Sequence, residues 1–341
     1  MKDFKENEYM TLVKNPDYKG EHDAAIDTLT VRWNEDPMAQ VQALQNGEID
    51  MFSPQVTTDV AKAAEKIKDV AIKTGVEGTY EHVDLVQNNK GPFDPGSYGG
   101  DEAKALLVRQ AFLHGVPRQE VVDKLIKPID PEADVRNSFL KTAGTPGYDE
   151  IAADNGSSEY ASTDPAKSLA LLKQAGVKTP INVRVLYAKG NIRRENEFEI
   201  YKPALKAAGF NLIDKGDPEW SAKLGDGTYD AVYFGWQSTT PAVSADREIF
   251  GTGGLNNLIG YSNKNVDGLF DQLVISSDQA EQVKIQAQIE KQLFADAVGI
   301  TIFQFPSANI ANKTRIGGTD PAIMAPTMFY GYWKWKVPSA N

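Results

Sequence analysis

The residue types that usually carry catalysis are thinly supplied in this chain. It contains no cysteine, and its three histidines, His22, His82 and His114, are scattered. Thiolate nucleophiles, disulfides, iron–sulfur clusters and cysteine-based zinc sites are thereby excluded. None of the histidines belongs to a His-Glu-x-x-His pair, and no Gly-x-Ser-x-Gly elbow, Walker loop or EF-hand loop is written anywhere. Gly251-Thr-Gly-Gly254 precedes Asn256-Asn257 rather than a helix and reads as a turn. Carboxylates are plentiful. Asp226 and Asp230 flank a turn and a strand start, where they would serve as the acid and nucleophile of a glycosidase or stand solvated. Arg193-Arg194, just ahead of a helix, would grip a carboxylate bidentately or lie solvated beside Glu195 and Glu197. The expectation is a chain with no catalytic centre, no cofactor and no metal site.

The stretch with most to offer a ligand runs from Tyr229 through Tyr233, Phe234, Gly235, Trp236, Gln237, Ser238 and Thr239 to Pro241. An apolar strand ends in Gly-Trp and a run of hydroxyl and amide side chains, and ligands of α/β sheets sit at the carboxyl ends of strands. Trp236 offers an aromatic wall; Gln237, Ser238 and Thr239 offer donors and acceptors suited to a neutral polar ligand. A core tryptophan followed by a polar turn is the competing reading.

These residues need elements to place them. Ile26–Trp33 alternates like a half-buried strand, and Asp36-Pro37 opens a helix with Met38, Val41 and Leu44 on one face that ends at Gly47. A strand at Ile49–Phe52, a helix capped by Thr57/Thr58 and a strand from Thr79 to Val86 follow. Asn88–Gly100 is dense in turn residues and marks the expected domain boundary. Beyond it come helices at Asp101–Leu113 and Arg118–Ile126, an irregular segment from Pro128 to Tyr160, and a helix from Asp164 to Gly176. Strands at Ile181–Tyr187, Phe210–Ile213 and Tyr229–Trp236 bracket a helix from about Arg194 to Ala208. A helical stretch over Val266–Ala297 and a strand at Ile300–Phe305 complete a β-α-β-α-β rhythm, which predicts an α/β domain with a partly parallel sheet.

The charge balance, 36 Lys+Arg against 47 Asp+Glu over 341 residues, argues against a nucleic-acid binder and against a polybasic membrane-surface protein. The longest uncharged apolar-leaning stretch, Val298–Asn312, is broken by Pro306 and too short to span a bilayer. The first residues carry no apolar segment of the signal-peptide kind.

Taken in order, several segments resemble the extracellular solute-binding protein family 5, the oligopeptide- and dipeptide-binding receptors of ABC importers. They are Asn15-Pro16-Asp17-Tyr18, Ala43–Asp50, Gly91-Pro92-Phe93-Asp94, Val108–Phe112, Pro117–Val122, Ala166–Gly176, Phe234-Gly235-Trp236 and Gly260–Asp267. The resemblance implies a two-lobe periplasmic-binding-protein-like α/β fold (type II, cluster C) that encloses its ligand by a hinge motion and delivers it to ABC permease subunits. It implies a monomer, exported as a periplasmic protein or a cell-surface lipoprotein, and touching membrane only through a lipid anchor. Only fourteen residues precede Asn15 here, so the chain is expected to be a C-terminal portion lacking roughly the N-terminal third, with the first lobe incomplete. By the same analogy, residues 1–90 and 306–341 belong to the first lobe and 91–305 to the second, with hinge crossings at Asn89 and at Gln304-Phe305.

The ligand-binding set expected is Trp236, Gln237, Ser238, Thr239, Tyr233, Arg194 and Asn88. Peptide-binding relatives carry an aspartate for the peptide ammonium where Thr239 stands, and an Asp-Pro where this chain has Thr240-Pro241. Arg194 falls where dipeptide-binding relatives place a carboxylate-gripping arginine. The expected function is therefore an extracytoplasmic receptor for oligopeptides. An oligosaccharide or other neutral polar solute is the alternative that Thr239 suggests, and a carboxylate-dependent hydrolase using Asp226 or Asp230 ranks below both.

Overall fold

A computed structural model describes residues 1–237, 244–323 and 328–338. The chain divides into two compact units: Met1–Gly78 with Pro128–Pro131 and Phe305–Asn341, and Thr79–Lys127 with Glu132–Gln304.

The first unit opens with β1 (Asp3–Lys5), β2 (Tyr9–Val13) and β3 (Thr28–Arg32), an antiparallel sheet in which Met10 faces Val31 and Leu12 faces Leu29. Helix α1 (Pro37–Asn46) starts where its sequence says it must. The Asp36 carboxylate accepts from the amides of Met38 and Ala39, Pro37 takes the first turn, and Gly47 closes the helix in the left-handed region at φ 74°. After β4 (Met51–Phe52) comes α2 (Thr58–Glu65), capped by the Thr57 hydroxyl. Then β5 (Val70–Leu85) runs far longer than the Thr79–Val86 strand expected. Gly75 and Gly78 interrupt its side-chain alternation, which is why its first half does not read as strand.

The second unit continues with α3 (Glu102–Gly115), α4 (Arg118–Val121, prolonged by a π turn at Val122–Ile126), α5 (Tyr148–Asp154) and α6 (Pro165–Gln174). Next come β6 (Ile181–Leu186), α7 (Ile192–Ala207), β7 (Phe210–Asp214), β8 (Ala231–Gln237) and the single turn α8 (Arg247–Phe250). Helices α9 (Lys264–Ile275) and α10 (Gln279–Ala295) replace the one run expected over Val266–Ala297. The break is Ser276-Ser277-Asp278, whose Asp278 carboxylate accepts from the Glu281 amide and starts α10. The last strand, β9 (Gly299–Asn312), passes through Pro306, where the sequence suggested a stop.

In this unit β6 lies parallel to both β7 and β8, while β8 is antiparallel to β5. The sheet is mixed α/β, as the helix–strand rhythm predicts. The turn cluster Asn88–Gly100 is part of the second unit and not its edge. Asp94 accepts from the amides of Lys90 and Gly96, and the Arg109 guanidinium donates to the Phe93 carbonyl. The chain instead passes between units at Gly78–Thr79, within β5, at Lys127–Pro128 and Pro131–Glu132 around a short return, and at Gln304–Phe305, within β9. The first unit's core joins Val41, Leu44, Val60 and Ala64 to Ala308 and Ile310 of β9, and Ile129, from the short return at Pro128–Pro131, packs on it.

Candidate functional site

Strand β8 carries most of the residues singled out from sequence, and its register with β5 sorts them onto two faces. Tyr80 is opposite Trp236 and His82 opposite Phe234, while Glu81 is opposite Gly235 and Val83 opposite Tyr233. Because side chains alternate along a strand, Tyr80, His82, Asp84, Phe234 and Trp236 share one face, and Glu81 and Tyr233 share the other.

The Glu81 face is a buried ion cluster. Arg194, 8% exposed, places Nε 3.2 Å from Glu81 Oε1, and Arg193 places Nη2 3.5 Å from Glu81 Oε2. One turn along α7, Glu197 Oε1 lies 3.7 Å from Arg193 Nε. The Tyr201 hydroxyl donates to Glu197, and the Tyr233 hydroxyl donates to the Arg194 carbonyl at 2.7 Å. Burial, reinforced by the charge of Glu81, raises the Glu197 carboxyl well above the ordinary glutamate range. Burial alone would lower Arg194, but Glu81 outweighs it and the guanidinium is held protonated more firmly than usual. Neither reading of Arg193-Arg194 made from sequence describes this. The pair is not solvated, and Arg194 already has a carboxylate partner inside the chain. Tyr233 is fully buried in the same cluster.

The opposite face is aromatic. Phe234 meets Trp236 edge-on at 4.9 Å and His82 at 4.6 Å, and Trp220 tilts against Phe234 at 5.5 Å. His82 Nε2 lies 3.1 Å from Asp84 Oδ2. Arg136 stacks on the Tyr80 ring at 3.8 Å, and its guanidinium donates to the carbonyls of Ser138 and Phe139 and to Gln304 Oε1. Four buried polar atoms of this face have no hydrogen-bond partner among the described residues: Tyr80 Oη, His82 Nδ1, Asp84 Oδ1 and Trp236 Nε1. Buried donors and acceptors are normally paired, so these four stand out among the groups of this face. Trp236 itself is half-buried and Gln237 exposed.

Ser238 and Thr239 lie outside the described residues. Asn88 is exposed at the Gly260 turn, where any side chain on residue 260 would run into it. The neighbouring Asn89 donates to Asp230 Oδ1 at 3.1 Å, inside the second unit. Asp230 is 2% exposed and held by Arg184 through Nη2 at 2.7 Å and Nε at 3.0 Å; Asp226 caps the turn at Thr228. Both carboxylates named for hydrolysis are thus tied into structure. Sequence reasoning passed over Tyr80, His82, Asp84 and Arg136. The signal was the Thr79–Leu85 strand itself, where Glu81, His82 and Asp84 put three ionisable groups into seven residues of a strand that is entirely buried. Among the described residues no helix is long and apolar enough to cross a membrane.

The sequence profile of bacterial extracellular solute-binding proteins, family 5 Middle, matches residues 1–257. The oligopeptide-binding protein AppA of Bacillus subtilis strain 168 is 24% identical over 332 residues, which cover 93% of this chain and 57% of AppA. Among solved structures, a periplasmic EDTA-binding protein, EppA, superposes with a TM-score of 0.86 at 21% identity, covering 99% of this chain and 64% of that one. AppA of Bacillus subtilis in complex with a nonapeptide gives 0.73 at 21% identity, covering 99% and 66%. The chain therefore spans a little over half the length of its curated relative, and the fold is that of periplasmic binding proteins.

Proposed function

The chain belongs to the bacterial extracellular solute-binding proteins of family 5, and from that we propose that it is part of an extracytoplasmic receptor that binds oligopeptides and passes them to the permease subunits of an ABC importer. The role is binding and not catalysis. The observation that carries the reading is the β5–β8 face, where Tyr80 and Trp236 stand side by side with polar atoms unmatched among the described residues, at the carboxyl end of a strand lying parallel to its neighbour β6. A peptide offers both apolar side chains for such a wall and backbone groups for its donors. The relative named for oligopeptide binding favours that ligand class over a sugar. We assign the two units to the two lobes, and the crossings at Gly78–Thr79 and Gln304–Phe305 to the hinge.

A thermal-shift scan against a random tetra- to hexapeptide pool and a matched oligosaccharide pool tests the ligand class. A ligand at a hundred times its Kd adds about 2.7 kcal/mol to the native state. The expected result is stabilisation by peptides alone, reduced at least tenfold in apparent affinity by Trp236→Ala. Stabilisation by the oligosaccharide pool alone would replace the peptide assignment, and unchanged affinity in Trp236→Ala would remove β8 from the site.

A further inference from the structure

The two strands that carry the chain between the units run side by side within the second unit, where the Leu85 amide of β5 donates to the carbonyl of Val298, just ahead of β9, at 3.0 Å. At their crossing ends a side chain joins them. Gln304, the last residue of the second unit before β9 crosses, donates through Nε2 to the carbonyl of Thr79, the first residue after β5 crosses, at 2.8 Å. Its Oε1 accepts from Arg136 Nη1 at 2.6 Å. Gln304 and Arg136 are both buried.

Arg136 is itself held against β9. Its amide donates to the Ile302 carbonyl at 3.0 Å, its carbonyl accepts from the Thr301 hydroxyl, and the preceding Val135 bridges to Phe303. The guanidinium also donates to the Ser138 and Phe139 carbonyls, so its hydrogen bonds go to neutral oxygens. A charged donor on an amide oxygen polarises that amide and strengthens the bond its N–H group gives, here to Thr79. Against the same guanidinium, at 3.8 Å, lies the ring of Tyr80, which follows Thr79 in the chain and faces Trp236 across β8. One connected network thus runs from the aromatic face through Arg136 and Gln304 to both crossing strands.

We propose that Gln304 is a positioning residue of the receptor, locking the two crossing strands to each other and, through Arg136, to the ring of Tyr80. A ligand that settles on Tyr80 and Trp236 bears on the stacked guanidinium, the guanidinium on the Gln304 amide, and the amide on Thr79. Two states of the crossings follow, with and without the Gln304–Thr79 bond, and the ligand favours the state that keeps it. This rests on the reading of the crossings as a hinge and adds to it the side chain that sets the hinge.

The chain has no cysteine, so Met38→Cys and Leu169→Cys, at exposed positions of the first and second unit, take one spin label each, and pulsed electron paramagnetic resonance gives the distribution of distances between them. Gln304→Leu removes both bonds of the side chain; Gln304→Glu keeps the acceptor for Arg136 and loses the donor to Thr79. Without peptide, the distribution is expected to be about twofold wider in both variants than in the wild type, while hydrogen exchange in β6 and α10 changes less than about threefold. With the tetra- to hexapeptide pool, the wild-type distribution is expected to narrow, and Gln304→Leu to need about fivefold more peptide for half-saturation of tryptophan fluorescence. Equal widths in all three proteins overturn the proposal. So does widening in Gln304→Leu alone, since the bond to Thr79 then does nothing, and so does widening with faster exchange throughout β6 and α10, which marks a unit destabilised as a whole. Equal half-saturation in the wild type and Gln304→Leu overturns the link to the aromatic face. A wild-type chain that ignores the pool counts against the receptor reading, while the widths without peptide still decide the lock.

Discussion

Replacing Glu81 by glutamine probes the clearest energetic commitment of the second unit. The side chain is fully buried and takes Arg194 Nε at 3.2 Å, Arg194 Nη2 at 3.5 Å and Arg193 Nη2 at 3.5 Å. Glutamine keeps the shape and removes the charge, leaving two buried guanidiniums to share Glu197. Removing one partner of a buried ion pair costs about 3–5 kcal/mol, mostly because the other charge stays desolvated. Here the cost is partly relieved. Glu197 is held above its ordinary range by burial and then by Glu81, so once Glu81 is neutral Glu197 ionises more readily and strengthens its contact with Arg193. Arg194 gets less help, since its nearest carboxylate was Glu81. The expected destabilisation is about 3 kcal/mol at neutral pH.

Glu197→Gln resembles the protonated form that burial already favours and should cost less, about 1 kcal/mol. The double variant should be less than additive, since the two sites share Arg193. Hydrogen exchange followed by mass spectrometry on peptides from β5, β8 and α7 measures these differences locally, which matters in a chain of two units where a single melting temperature mixes transitions. A change under 1 kcal/mol in Glu81→Gln, or a larger loss in Glu197→Gln than in Glu81→Gln, would refute the account of the cluster.

Asp230→Asn should destabilise β6 and its neighbours by about 2 kcal/mol, since Arg184 is partly exposed and water replaces some of what it loses; urea unfolding should show a lower midpoint with an unchanged slope. Leu44→Ala, at a position 2% exposed in the apolar cluster of the first unit, should cost about 2–4 kcal/mol, with exchange rising in α1, α2 and the end of β9 and staying constant in β6 and β8. For Asp246 the folded carboxyl, raised from 3.8 to about 7, holds its proton more tightly than the unfolded chain does. Its contribution to stability is complete below about pH 4 and is lost as pH rises to about 7, so Asp246→Asn should match the wild type in acid and melt higher above pH 7. Equal melting curves for the two proteins at pH 8 would refute that.

The parts of the molecule that were legible in the sequence are those whose cause is local. Asp36-Pro37 and Gly47 bound a helix because capping and φ preferences act within a turn, and Asp278 starts another for the same reason. The strand ending in Gly235-Trp236 shows itself by composition. What stayed hidden depends on partners far along the chain. Arg194 and Glu81 are separated by 113 residues, so next to Glu195 and Glu197 the arginines look solvated, and only the folded sheet reveals the carboxylate beneath them. Asp230 likewise looked available for chemistry because Arg184 and Asn89 reach it from β6 and from the turn after β5. Asp246 drew no notice, since an aspartate among small residues is ordinary in sequence; the burial that raises its carboxyl follows only from the fold.

The division of labour across β8 connects these observations. On one face an ion cluster ties β8 to α7 and fixes the strand's position; on the other, Tyr80, His82 and Trp236 present rings and unmatched polar atoms. A face of that kind is energetically unfavourable on its own, because each buried unmatched group costs about 1–3 kcal/mol. It persists only if the strand that carries it is over-determined from behind. The buried pairs of Glu81 with Arg193 and Arg194 supply that constraint at a place where apolar packing would hold the strand less specifically, since ion pairs dictate register as well as burial.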